Sequence, residues 1–348
     1  MNMKKVLLGE TCEILDSQRV PITSTERKSG IYPYYGANGL QDYVDGYLFD
    51  DELVLLAEDG GNFGSKDRPI AYRVSGKCWV NNHAHVLKPK TPYDVDYICY
   101  ALMFYDTTGL VNGATRQKLT QSAMRQMQIP YRSWDEQKVI VSKINAVIEL
   151  IEARKEQTNY LDDLVKSRFI EMFGEPNHGD KFEKASGKDL FVFSSGKFLP
   201  EDKRKSEGVA VYGGNGIAWY TTEPLITHET IVIGRVGAYC GNVRYVKEPI
   251  WITDNAIYIK AFKKNCFSIV YLYELMKMLN FYQFADFSGQ PKITQKPLET
   301  MLYAVPPIEL QEQFSTFVEQ VDKSKFEIQQ SLETLEILKK SLLQKYFG

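Results

Sequence analysis

The stretch YPYYGANG, from Tyr32 to Gly39, has a near copy in AVYGGNG, from Ala210 to Gly216, and this recurrence limits the possible folds more than any other feature of the sequence. An Asn-Gly pair after aromatic and β-branched residues signals a tight turn, because both central positions of a primed turn favour positive φ. Aligning Asn38 with Asn215 places LVLLAEDGG (Leu53 to Gly61) on IVIGRVGA (Ile231 to Ala238), with Gly60 opposite Gly237. Further along, WVNNHAHV from Trp79 meets WITDNAIY from Trp251, TRQKLT from Thr115 meets GQPKIT from Gly289, and QIPYRSWDEQ from Gln128 meets YAVPPIELQEQ from Tyr303. LDDLVKSRFIEMFG (Leu161 to Gly174) then meets LEILKKSLLQKYFG (Leu335 to Gly348). The landmarks keep one order in both halves, so the chain reads as a tandem duplication with units of roughly 175 residues.

The 348 residues suffice for two ordinary cores, and 44% hydrophobic with 25% charged residues is a globular balance. No apolar run approaches the ~18 residues that span a bilayer, and MNMKKVLLGE lacks a signal-peptide core, so a cytoplasmic protein with no membrane partner is expected. Five scattered cysteines (Cys12, Cys78, Cys99, Cys240, Cys266) form no CxxC pair and read as reduced, mostly buried thiols. His83 and His85 would share one face of a strand, and no nearby cysteine or second cluster completes a metal site around them.

The net charge of −2 hides a local pattern. From Gly60 to Lys90 there are six basic residues and one acidic; from Ile231 to Lys264, six and two. Equivalent sections of both repeats are therefore basic, which suits contact with nucleic acid.

Residues 1–132 and 175–306 alternate strand-like runs (LVLLA, IAYRV, TIVIG, AIYIK) with Gly, Asn and Pro, and each contains one short helical stretch. The expected fold class is α+β, with a twisted, mainly antiparallel sheet in each of two domains. Residues 133–174 and 307–348 read as long helices. Ser133 and Glu136 have capping-box spacing, and Ile140, Ile144, Val147, Ile148, Ile151, Leu161, Leu164, Val165, Phe169 and Met172 recur at helical steps. Phe314, Phe317, Val321, Ile328, Leu335, Leu338 and Leu342 make a heptad seam in the second. Such helices would be roughly 54 Å long, more than either domain needs to cover its own sheet. They are expected to pair with each other, with a further protein as an alternative or additional partner, and to act as a ruler between two heads.

The usual catalytic signatures are missing: no GxxxxGK[ST] loop, GxSxG elbow, HExxH helix, [ND]PP[YF] tetrapeptide or PD…(D/E)xK cluster occurs. GRVGAYCGN (Gly234 to Asn242) lacks GxGxxG spacing and reads as a strand end and turn. The features together point to a non-catalytic binding scaffold with two similar heads. It would suit a split DNA site; a two-headed interaction scaffold on a coiled-coil stalk that does not bind DNA is the alternative.

The paired turns, the GQPKIT segment, the proline-led helix starts IPYRSWDEQ and VPPIELQEQ, and the helix ends SRFIEMFG and SLLQKYFG resemble, in type and order, the specificity subunit (HsdS) of type I restriction-modification enzymes. The resemblance covers essentially the whole chain, though this chain is compact for the family. It implies two target recognition domains (1–132 and 175–306), a central conserved helix (133–174) and a C-terminal conserved helix (307–348), the helices packed as an antiparallel coiled coil. It also implies a bipartite double-stranded DNA site, with one half-site per domain. The implied partners are two adenine-N6 methyltransferase (HsdM-like) subunits and an endonuclease/translocase (HsdR-like) subunit. No cofactor is expected in this chain, because S-adenosylmethionine belongs to the methyltransferase. The halves differ strongly outside the landmarks, so the target should be asymmetric.

By the same resemblance, the DNA-binding candidates are Asn62, Lys66, Arg68, Arg73, Arg116, Gln117 and Lys118 in the first domain, and Arg235, Arg244, Gln290 and Lys292 in the second. Arg and Gln can make bidentate contacts to guanine and adenine, whereas Lys more often meets phosphate. Lys118 and Lys292 recur in both repeats, which suits a shared phosphate or structural role. Asn38 and Asn215 are expected to serve the turns.

Overall fold

A computed structural model describes residues 4–113, 116–176 and 181–348, so Thr115, the first residue of TRQKLT, lies outside the described residues. The chain divides into two compact units: residues 1–155 with 331–348, and residues 156–330. The division cuts through both long helices, Trp134–Phe173 and Ile308–Phe347, so each unit is a sheet domain with part of each helix.

In the first unit, β1 (Lys5–Leu7) pairs with β10 (Gln128–Pro130), and β8 (Val111–Asn112) with β9 (Lys118–Leu119). The main sheet holds β2 (Cys12–Ile14), β3 (Ser29–Gly36), β4 (Gly39–Val44), β5 (Phe49–Ala57), β6 (Ala71–Val80) and β7 (Ala84–Pro89). Its order is β2-β7-β5-β6-β3-β4, antiparallel except where β3 runs parallel to the end of β6, Tyr34 beside Trp79. β5 reads as a continuous apolar run because both its faces are buried. Val54 and Leu56 pack toward α1 (Val95–Met103) and the long-helix residues Ile140, Ile144 and Leu343, while Leu53 and Leu55 join Val74, Cys78 and Val86 on the other face.

The second unit repeats the plan. β11 (Lys184–Ser186) pairs with β19 (Leu302–Ala304), as β1 does with β10. β12 (Phe191–Ser195), β18 (Ala256–Phe262), β15 (Thr230–Gly234) and β16 (Val243–Val246) form a four-stranded sheet in that order. A three-stranded sheet, β14-β13-β17, joins Gly216–Thr221, Val209–Gly213 and Trp251–Ile252. Where the first unit has one strand, β6, the second has β16 and β17 with Pro249 between them; proline cannot donate to a ladder. β17 nonetheless runs parallel to β13, with Trp251 beside Val211, as Trp79 lies beside Tyr34. The tryptophans even share a hydrogen bond, Nε1 donating to the Val20 carbonyl at 2.7 Å and to the Lys197 carbonyl at 2.9 Å.

The central helix starts with the expected capping box. The Ser133 amide donates to the Glu136 carboxylate at 2.8 Å, and the Glu136 amide reaches Ser133 Oγ at 3.4 Å. Within the second unit the two helices run antiparallel. Phe169 meets Phe314 edge-on with ring centroids 5.5 Å apart, and Asp162 meets Lys325 at 2.5 Å. Phe169 also stacks on Tyr271 of α2 (Ile269–Met278), which ties the helix pair to the domain core. Two expected seam positions, Leu164 and Leu338, are exposed. Buried Val318 and Leu343 stand instead beside the seam written from the sequence. The five cysteines are free thiols, four of them buried, and burial pushes Cys78 and Cys99 up to about 12. Among the described residues no helix is long and apolar enough to cross a membrane.

Candidate nucleic-acid interface

In both units most of the candidate residues gather where a glycine holds a hairpin against the end of a central strand. Gly60 follows β5 at φ +63, a left-handed conformation that a β-carbon would strain. Its amide donates to the Gln117 carbonyl at 3.1 Å, and its carbonyl accepts from the Asn38 side chain at 3.0 Å. The turn Ala37–Asn38, the loop after β5 and the paired strands β8 and β9 are thereby joined at one residue. Gly237, at φ +89, repeats the hairpin bond after β15: its amide donates to the Pro291 carbonyl at 2.9 Å. The hairpins correspond in register, with Asn112 opposite Lys118 and Asp286 opposite Lys292. Lys118 also bridges to Asp59, and Lys292 to Val236, each the residue before the pivot glycine.

The first rim carries most of its candidates on two sides of this pivot. Asn62 and Arg68 line a recess of about 520 Å³ with Tyr35, Asn38, Leu40 and Tyr72. The loop bearing them is shaped by Ser65, whose hydroxyl accepts the Arg68 amide at 2.9 Å, and by Asn62, whose side chain donates to the Pro69 carbonyl at 3.4 Å. Arg116 and Gln117 are exposed on the hairpin, Arg116 donating to Asp59 at 2.6 Å. Lys118 reaches Glu58 at 3.0 Å. Lys66 faces elsewhere, lining a cleft of about 890 Å³ with Lys5, Tyr100 and Lys340. Arg73 also lies apart: it sits within β6, its guanidinium held by Glu52 and, at 3.2 Å, by Asp96.

In the second rim, Arg235 follows β15 directly and donates to the Asp254 carbonyl at 3.2 Å. Its own carbonyl accepts from Ile293 at 2.9 Å, so the strand end and hairpin are stitched together. The Gln290 side chain lies over Gly237, 3.5 Å from where a β-carbon would stand, and Lys292 is exposed at the hairpin's base. Arg244, on β16, places its guanidinium 3.4 Å from the β-carbon position of Gly216, under the turn. Asn215 is exposed in that turn, and Asn38 goes beyond the expected turn role by reaching Gly60.

An ion network around buried His85, behind the first rim, is not visible in any local motif. His85 is fully buried, with Nδ1 2.6 Å from Asp16 and Nε2 2.9 Å from the Leu119 carbonyl. Arg19 donates to Glu58 and to the Ala84 carbonyl, both at 2.6 Å. Burial would raise the Asp16 carboxyl, but hydrogen bonding to His85 overcomes it and holds the group below its usual range. Glu58 is likewise held low against burial by Arg19 and Lys118. Ligand atoms of Asp16, Glu58 and His85 lie within 4.8 Å of one another, a spacing that could suit a cation, yet the guanidinium and ammonium groups already balance these carboxylates. The shared strand face expected for His83 and His85 is not formed. β7 begins only at Ala84, so His83 sits in the preceding turn, 2.6 Å from Asp59.

Fold and rims together define a duplicated α+β protein whose two sheet domains carry the same hairpin scaffold with different side chains. Residues 1–162 and 179–337 both match the family model of the type I restriction modification DNA specificity domain, and the chain belongs to that family. Over 143 residues it is 37% identical to a Haemophilus influenzae protein assigned as a type I restriction enzyme specificity subunit, covering 41% of this chain. Over 171 residues, 49% of this chain, it is 28% identical to the EcoprrI specificity subunit of Escherichia coli. The matches span 37% and 41% of those relatives' lengths. The fold is similar to that of the type I restriction-modification S subunit from M. genitalium, with TM-score 0.62 and 18% identity over 100% of this chain and 96% of the other.

Proposed function

We propose that this chain is the non-catalytic DNA sequence-specificity subunit of a type I restriction-modification complex and reads a bipartite, asymmetric site, one half-site per domain. The supporting observation is the pair of pivots, Gly60 and Gly237. Each holds a register-matched hairpin at a strand end, but Arg116 and Gln117 in one unit are replaced by Gln290 and Pro291 in the other. The same scaffold with unequal side chains suits two half-sites of different sequence.

On this reading, Arg68, Arg116, Gln117, Arg235 and Gln290 supply base-edge donors and acceptors, while Lys118 and Lys292 meet phosphates. Arg244 stands at the margin of the second rim and would meet the backbone of the duplex or support the turn, whereas Lys66 and Arg73 lie apart from the first rim. The recognition domains are residues 1–132 and 175–306. The helices 133–174 and 307–348 bind two methyltransferase subunits, which carry S-adenosylmethionine, and an endonuclease/translocase subunit completes the complex.

Phosphate contacts release counterions, so the affinity of the assembled complex for duplex DNA should fall linearly on a log-log plot against salt. A flat salt response would contradict the proposal.

A further inference from the structure

The two matched hairpins differ at one position in a way the proposed DNA-reading function leaves unexplained, and the inference drawn from it rests on that function. In the first unit the residue after Asn112 is Gly113, at φ +104, where a β-carbon would stand 2.4 Å from the Arg116 carbonyl oxygen. No side chain fits. The register-matched residue in the second unit is Phe287, which follows Asp286 and is 55% exposed.

Phe287 is held firmly. Asp286 and Lys292 exchange backbone hydrogen bonds of 2.8 and 3.1 Å, and the Asp286 carboxylate accepts the Ser288 amide at 2.9 Å. The Phe287 ring meets Tyr282 edge-on with centroids 5.2 Å apart, and Tyr282 is 42% exposed. The loop bearing Tyr239, itself 51% exposed, lies against the same segment: a β-carbon on Gly241 would stand 2.5 Å from the Tyr282 nitrogen. Three exposed rings are therefore presented on anchored backbone, beside Gln290, Arg235 and Lys292.

Apolar rings displayed rigidly among cationic and amide groups call for an occupant that is apolar in one spot and anionic around it. The methyl group of thymine in the major groove is such a target, and phenylalanine is among the side chains that contact it. Gln290, Arg235 and Lys292 around the rings are the side-chain types that meet base edges and phosphates, which favours DNA over a protein occupant. We propose that the second unit reads its half-site partly through apolar contact of Phe287, supported by Tyr282, with the methyl group of a thymine. The first unit, with Gly113 at that position, has no such reach.

The test uses the full chain in complex with its methyltransferase partner and duplexes carrying the methylated site, with each thymine replaced in turn by deoxyuridine, which removes only the methyl. One thymine in one half-site should lose about fourfold in affinity on replacement, the worth of one buried carbon group. The Phe287→Ala complex should bind the unmodified duplex correspondingly more weakly and show no further loss with deoxyuridine at that position. Phe287→Leu should retain part of the discrimination. Full tolerance of deoxyuridine throughout, or an unchanged penalty in Phe287→Ala, would overturn the inference. So would a weaker methyltransferase complex with unaltered DNA reading, which would assign the rings to protein contact. If the unsubstituted complex binds no sequence selectively, the failure belongs to the DNA-reading function itself.

Discussion

Gln137 and Gln311, both fully buried, make the same three hydrogen bonds in the two units. The Gln137 carbonyl accepts the Asp94 amide at 2.9 Å, and its side-chain nitrogen donates to the Pro92 and Arg132 carbonyls at 3.1 and 3.0 Å. Gln311 accepts the Ser268 amide at 2.9 Å and donates to the Cys266 and Pro306 carbonyls at 2.9 and 2.8 Å. Each side chain clamps the first turn of a long helix to the segment that starts a short helix, α1 or α2. Replacement by alanine would leave a buried amide and carbonyls unpaired, and Gln137→Ala or Gln311→Ala should each lower stability by roughly 3 kcal/mol in urea unfolding.

The ion network behind the first rim sets an acid limit. Asp16 and Glu58 are held below their usual values of 3.8 and 4.5, so they stabilise the fold above those values and lose that contribution as pH falls through their lower folded-state values. Stability should therefore decline as pH drops below about 4.5, and Glu58→Gln should be less stable at pH 7 with a shallower acid decline. Melting temperature measured from pH 7 to pH 3 checks both.

Arg68 and Arg73 separate DNA reading from structure although they stand five residues apart. Arg68→Ala, in the recess beside Asn38, should weaken specific binding about tenfold, as loss of one base or phosphate contact does. Arg73→Ala breaks pairs with Glu52 and Asp96 and should leave DNA affinity unchanged. Equal losses of affinity in both variants would remove the distinction.

Gly60→Ala places a β-carbon in the left-handed region and 3.2 Å from Arg116 Nε, so it should cost about 1–2 kcal/mol and disturb the hairpin. Gly289→Ala meets open space and should be close to neutral in folding. Paired thermal melts of the two variants test whether the pivot, rather than glycine content, holds the rim.

Much of this was legible because duplication makes local signals repeat. The Asn-Gly turns, Gly60 opposite Gly237, the Ser133–Glu136 box and the apolar runs of β5 and β15 each depend on a few neighbouring residues. The Asp16, Arg19, Glu58, His85 and Lys118 network could not be read that way, since its members come from distant positions and meet only after the sheet forms. Arg73 looked like a DNA candidate because a basic section does not reveal which cations already face carboxylates across a strand pair. Gln137 and Gln311 were inside a recognised repeat, but an amide in a helix's first turn gives no sign that it will be buried. The exposed rings near Phe287 had a signal, the aromatic run FYQFADF, whose exposure depends on the hairpin behind it.

The most direct measurement is to express the chain with its methyltransferase partner in a host lacking adenine methylation and map N6-methyladenine across the genome. One bipartite, asymmetric motif should appear and vanish without this chain, with one half changed by Arg68→Ala and the other by Arg235→Ala. A stable complex that adds no methylation, or a motif without two separable halves, would contradict the proposed function.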